Sequence, residues 1–207
     1  QAQNAEVDWH YYNGHGSAWR AGDPQAEIRF YENWYVNHYF NYMEIDTSKT
    51  YDSILEIGCC MVAGCEFVQA KKKTIIEPLF TEEWMEKYPH IREHKKRHEA
   101  NGVEIVTDVA EDFDDYESYE EVWLMNVLQH VYSPSQILEK CRGAKTVRFF
   151  EPINLGTNEC HPHILTPELF IDSLFENSTE NSWHKHYHAP TTEFHQADCY
   201  YGVSNRS

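Results

Sequence analysis

The stretch Asp52-Ser-Ile-Leu-Glu-Ile-Gly-Cys-Cys-Met-Val-Ala-Gly64 constrains this chain more than any other. Ile54, Leu55 and Ile57 surround Glu56 with the apolar density of a strand in a parallel sheet, covered on both faces. Gly58 then permits a sharp turn, and residues 61–70 predict a helix that packs back on the sheet. Backbone N–H groups at such a helix start need a partner, which makes the turn a place for a nucleotide-type ligand.

The downstream order strengthens this expectation. Lys73–Leu79 reads as a second strand with Glu77 near its end, and Val103–Asp108 as a third closing in Asp108. Glu121–Asn126 is a fourth, Thr146–Glu151 a fifth, and residues 181–188 and 193–203 form a final pair separated by Ala189-Pro190-Thr191. In a chain with 34 Asp plus Glu, one carboxylate after a strand is more often a solvated loop residue than a ligand. Four in register with strand ends reverse that judgement. The expected fold is α/β: a Rossmann-like, mostly parallel seven-stranded sheet with a C-terminal antiparallel pair and helices on both faces.

Leu55-Glu-Ile-Gly-Cys-Cys60 resembles the first motif of class I S-adenosylmethionine-dependent methyltransferases, an acid followed by spaced glycines (ExGxGxG). Glu56 and Gly58 match, whereas Cys60 and Val62 stand at the second and third glycine positions. Side chains there are expected to crowd a cofactor, so their joint replacement by glycine is expected to tighten its binding. Asn126-Val-Leu-Gln-His-Val-Tyr-Ser-Pro134 is similar to the NVLEHVxDP run of small-molecule methyltransferases of the ubiquinone-biosynthesis type, and the resemblance spans roughly residues 50–175.

The resemblance implies S-adenosylmethionine as cofactor. Glu56, Gly58, Cys59 and Cys60 would hold its methionine end, Glu77 with Pro78 its ribose, and Asp108 with Val109 its adenine, while Asn126, Val127 and Gln129 would line the methyl-transfer site. His130 is the first candidate base and His163 the second, since imidazole exchanges protons near neutral pH. A structural hydrogen bond is the competing role for His130. Residues 24–42 predict an aromatic helix that mostly packs on the sheet, with Tyr11, Tyr12, Trp19 and Tyr31 as candidates to contact the acceptor. Thr166 is expected to cap a helix over residues 167–175.

Composition sets the remaining expectations. The length of 207 residues, with no linker or repeat, suits one domain (1–207) made of an N-terminal cap segment (1–48) and a cofactor-binding core (49–207). A formal charge of −17, relieved only by Lys71–Lys73 and the Arg92–Arg97 cluster, argues against nucleic acid, and a core that leaves little chain for an added substrate domain suits a small-molecule acceptor or one exposed protein group. Six cysteines without zinc or disulfide spacing, no leader, and no apolar run near the ~18 residues of a membrane span point to a cytoplasmic setting. His90, His94 and His98, and His184, His186 and His188, could each share a face, but a surface helix and an exposed strand explain them better than a metal. Two other functions fit less well: a silent cofactor-binding or interaction module with a degenerate glycine loop, and a nicotinamide-dependent oxidoreductase.

Overall fold

The computed structural model of the protein describes residues 23–187 and 198–206. Its strands are β1 (Thr50–Ile57), β2 (Gln69–Ile76), β3 (Val103–Val106), β4 (Glu121–Met125), β5 (Thr146–Pro152), β6 (Trp183–Tyr187) and β7 (Cys199–Asn205), in the spatial order β3-β2-β1-β4-β5-β7-β6. β1 to β5 are parallel, and β7 runs antiparallel between β5 and β6. The expected mixed sheet is therefore present. Strand order reverses between β1 and β4, so the crevice beyond their carboxyl ends is where such sheets bind ligands.

Successive residues of the central strands face opposite sides, which divides the core into two apolar layers. Ile54, Trp123 and Met125 pack beneath α1 (Pro24–Trp34), with α2 (Glu82–Lys87) and α3 (Pro89–Ala100) on the same side. Leu55, Val122 and Leu124 meet α4 (Pro134–Cys141) and α5 (Pro167–Phe170) on the other. α1 begins where Asp23 accepts from the Ala26 N–H at 3.0 Å, and α4 where Ser133 accepts from Gln136. α1 continues through a π-helical segment, Tyr35–Tyr39, into a last α turn, Phe40–Tyr42, matching the expected helix apart from the wider turn. Thr166 occupies the N-cap of α5 but makes no side-chain capping bond there.

The crossover from β1 to β2 departs most from expectation. Residues 61–70 form no α-helix; a single 3-10 turn, Gly64–Phe67, is followed at once by β2. The cause is Glu56, whose buried carboxylate accepts from the Gly64 N–H at 2.9 Å and the Cys65 N–H at 2.7 Å. Both donors are thereby turned back to β1. The Tyr35 hydroxyl also donates to the Val62 carbonyl at 3.0 Å, pinning the preceding turn beneath α1. Consequently β2 starts at Gln69, before the expected Lys73, and ends at Ile76.

α3 supplies a second correction, because His90, His94 and His98 lie in the interior and not on a surface helix. Arg97 donates to His94 Nδ1 at 2.9 Å, which leaves Nε2–H to donate to the buried Glu27 of α1 at 3.1 Å. Arg97 also reaches Glu66 at 2.9 Å and the Met61 carbonyl at 3.0 Å, while His98 Nδ1 lies 3.2 Å from Glu66. One network thus ties α1 and the short crossover to α3. On β6, His184 and His186 are exposed as expected, whereas His188 lies outside the described residues.

Burial alone would raise the Glu66 carboxyl, but bonding and charge from His98, followed by Arg97 and Asn101, bring it down to about 2. Burial, aided by His94, lowers His90 to about 4. In both cases the unfolded chain binds more protons, so stability falls on acidification. The His90 loss should run from pH 6.5 to about 4, and the Glu66 loss from pH 4.5 to about 2. In urea titrations at pH 7, Glu66→Ala should cost about 3–5 kcal/mol because Arg97 and His98 keep their burial without their partner. His90→Gln should remove the upper part of the acid loss.

Candidate active site

A cavity of about 640 Å³ opens at the carboxyl ends of β1, β2 and β4, within the size range of small-molecule sites. Its floor is formed by the Ile57–Cys60 turn, the Ile76–Leu79 exit and the Met125–Val127 exit. The Val109–Glu111 loop forms one wall, and α1 with its π-helical extension covers the top.

Three backbone positions on this floor are left-handed: Gly58 at φ 65°, Cys60 at φ 53° and Asn126 at φ 57°. A Cβ on Gly58 would stand 2.1 Å from Val127 Cγ2, so that glycine is required for both conformation and space. Cys60 holds a glycine-like conformation with a side chain, at a cost of about 1–2 kcal/mol. Val62 does not crowd the cavity as expected; it is fully buried in the core beneath α1.

Buried carboxylates hold the loops. Glu77, just after β2, accepts from the Cys60 N–H at 2.7 Å and from the Leu79 N–H at 3.2 Å. A carboxylate has about four acceptor sites, so it can fix both loops and still receive a pair of hydroxyls. Glu151 on β5 accepts from Val127 at 3.0 Å and Leu128 at 3.2 Å, and Glu111 accepts from Tyr132 and Ser133 at 2.8 Å each. Burial pushes Glu56 up to about 7 and Glu151 up to about 8, against the lowering effect of their amide bonds.

His130 Nδ1 lies 2.9 Å from the Cys160 carbonyl, which places the proton on Nδ1 and leaves Nε2 basic. Gln129 Nε2 donates to Asn126 Oδ1 at 2.7 Å and approaches His130 Nε2 at 3.5 Å. The Asn126 amide is thereby oriented, and His161 packs edge-on against His130 with ring centroids 4.8 Å apart.

Of the residues expected to hold cofactor, Gly58, Cys59, Cys60, Glu77, Pro78, Val109, Asn126 and Val127 line the cavity. His130 and Tyr31 line it as well. Four expected residues do not. Glu56 is enclosed with the crossover amides; Asp108 is exposed and caps its own neighbour, Val109, at 2.9 Å; Gln129 is buried behind Asn126. His163 faces the Val131 carbonyl at 2.7 Å, so its place at the wall is taken by His161. Tyr11, Tyr12 and Trp19 lie outside the described residues. Glu111, Tyr132 and His161 were not anticipated from the sequence; the acid-rich run after Asp108 and the first histidine of Cys160-His-Pro-His163 were the available signals.

The fold is an α/β sheet with its cavity at the topological switch. The fold is that of the class I S-adenosylmethionine-dependent methyltransferases. The chain is similar to the N-methyltransferase NodS of Bradyrhizobium japonicum WM9 in complex with S-adenosyl-l-homocysteine, with TM-score 0.58 and 14% identity over 86% of each chain. It resembles a putative methyltransferase of Bacillus halodurans C-125 with TM-score 0.58 and 12% identity, over 82% of this chain and 99% of that one. The [4+2]-cyclase SpnF shares the fold at TM-score 0.56 and 11% identity, over 88% of this chain and 82% of that one. The sequence matches no family model and no curated protein.

The turn after β1 yields a direct prediction. Cys60→Gly should raise stability by up to about 1 kcal/mol, the left-handed strain relieved outweighing the added freedom of the unfolded chain. Val62→Gly should lower it by roughly 2–4 kcal/mol through lost burial. Urea denaturation of the two single variants separates the positions.

Proposed function

We propose that the protein is a methyltransferase that uses S-adenosylmethionine to modify a small molecule or an exposed group on a protein. The observation that carries this reading is the Glu77 carboxylate, tethered through Cys60 N–H beside the left-handed Gly58 turn and facing the cavity. A Gly58 Cβ would collide with Val127, so only glycine fits this turn on the cavity floor. Likeness to NodS, whose structure holds S-adenosyl-l-homocysteine, supports the same cofactor.

In this reading Glu77 receives the ribose hydroxyls, Val109 to Glu111 flank the adenine, and the Gly58–Cys60 turn holds the methionine end. The cofactor supplies an electrophilic methyl group on a sulfonium. Asn126, oriented by Gln129, borders the transfer position, and α1 excludes water from it. His130 Nε2 takes the proton that the acceptor gives up. A cytoplasmic setting belongs to this reading; among the described residues no helix is long and apolar enough to cross a membrane.

Calorimetry should detect S-adenosylmethionine binding, and Glu77→Ala should weaken it by about 1.5–3 kcal/mol, or roughly 10- to 150-fold. No heat at millimolar ligand would overturn the reading. With an acceptor in hand, His130→Gln should slow turnover by about 10²–10⁴ while cofactor affinity stays constant. A silent binding module, which the strained Cys60 and the shortened crossover would suit, predicts binding without turnover in either protein.

A further inference from the structure

Glu151, near the end of β5, is a fully buried carboxylate without a counter-ion among the described residues. It accepts from the Val127 N–H at 3.0 Å and 3.1 Å through its two oxygens and from the Leu128 N–H at 3.2 Å, and these donors are neutral amides. The cation nearest in sequence, Arg148, is paired with Glu121 at 2.7 Å. The titratable groups that face Glu151 are Tyr39 from the π-helical segment and Cys199 from β7. Burial raises both, Cys199 to about 12, and the Glu151 charge adds to that, while a bond with Trp34 opposes it at Tyr39. Both are therefore uncharged near neutrality.

The carboxylate lies directly behind the cavity floor. Val127, whose N–H it holds, lines the cavity, and so does Tyr39, whose phenol feels its charge. Asn126 lines it as well and donates its N–H to the Phe150 carbonyl at 2.9 Å, next to Glu151 on the same strand. A buried carboxyl held only by neutral amides ionises reluctantly, and burial pushes this one up to about 8. A cation arriving on the other side of so thin a floor supplies the charge that the fold withholds.

We propose, resting on the methyltransferase reading, that Glu151 is the counter-charge by which the site distinguishes the sulfonium of S-adenosylmethionine from the neutral thioether of its product. Binding of the sulfonium drives a proton from Glu151 to solvent. Methyl transfer removes the positive charge from sulfur, and Glu151 then recovers a proton from solvent. The product loses an attraction that the substrate cofactor enjoyed, so its release is favoured. Since the ionised carboxylate holds the sulfonium more tightly, affinity for S-adenosylmethionine rises with pH up to about 8, and affinity for the thioether does not.

The test is calorimetry of the full chain with S-adenosylmethionine and S-adenosylhomocysteine, in buffers of different ionisation enthalpy. At pH 7 the sulfonium should release more protons on binding than the thioether does, and Glu151→Gln should abolish that excess while both ligands still bind. Between pH 6 and pH 8 the preference for S-adenosylmethionine should rise about 3- to 30-fold more in the native protein than in Glu151→Gln, a comparison in which titration of the ligands' own amino groups cancels. If the variant does not fold, carboxyl NMR of the native chain with isotope-labelled glutamate decides: the group titrating near pH 8 should move downward with S-adenosylmethionine and stay with S-adenosylhomocysteine. Equal proton release in native protein and variant, or a high-titrating glutamate that S-adenosylmethionine leaves in place, overturns the assignment and leaves the methyltransferase reading standing. Binding of neither ligand at millimolar concentration removes both.

Discussion

Buried carboxylates at the carboxyl ends of the strands, each holding backbone N–H groups of a neighbouring loop, are what the site depends on. Glu56 on β1, Glu77 after β2 and Glu151 on β5 act on the crossover, the Cys60 turn and the β4 exit in turn. A loop amide buried without a partner costs about 1–3 kcal/mol, so each carboxylate selects one loop path among many. Burial pushes Glu56 to about 7 and Glu151 to about 8, so the desolvation of these groups outweighs the stabilisation that the amides give their charge. A cavity floor built in this way is set by the sheet and needs no ligand to shape it.

The same arrangement accounts for the missing helix after β1. An ordinary crossover of this kind spends its N–H groups on a helix start, where they can meet an anionic ligand. Here Glu56 takes the Gly64 and Cys65 donors inward, leaving the Gly58–Cys60 turn and Glu77 as the polar elements of that corner. α1 compensates by roofing the cavity, and it is anchored by Glu27 to His94 and by Tyr35 to Val62.

Strand identity was legible because each central strand carries a dense apolar run and ends in a polar or acidic residue. The places of Glu77, Gly58 and Asn126 on the cavity lining were legible for the same reason, since each directly follows a strand. The start of β2 was not, because Lys71–Lys73 resemble a solvated loop; in the sheet Lys71 pairs with Asp52 and Lys72 approaches Glu104 on the neighbouring strands. The histidines of α3 misled because charged neighbours hid a face whose partners, Glu27 and Glu66, lie far away in sequence. Asp108 and Glu111 differ by one turn of loop, and only the tertiary bonds of Glu111 to Tyr132 and Ser133 select the latter for the wall.

A crystal structure of the complex with S-adenosylhomocysteine tests most directly the claim that strand-end carboxylates shape a cofactor site. The account predicts both ribose hydroxyls within hydrogen-bond distance of Glu77, adenine against Val109 to Glu111, sulfur beside Asn126, and the Glu77 bonds to Cys60 and Leu79 unchanged. Ligand bound away from Glu77, or a Gly58–Cys60 turn that must release Glu77 to admit it, would contradict the account.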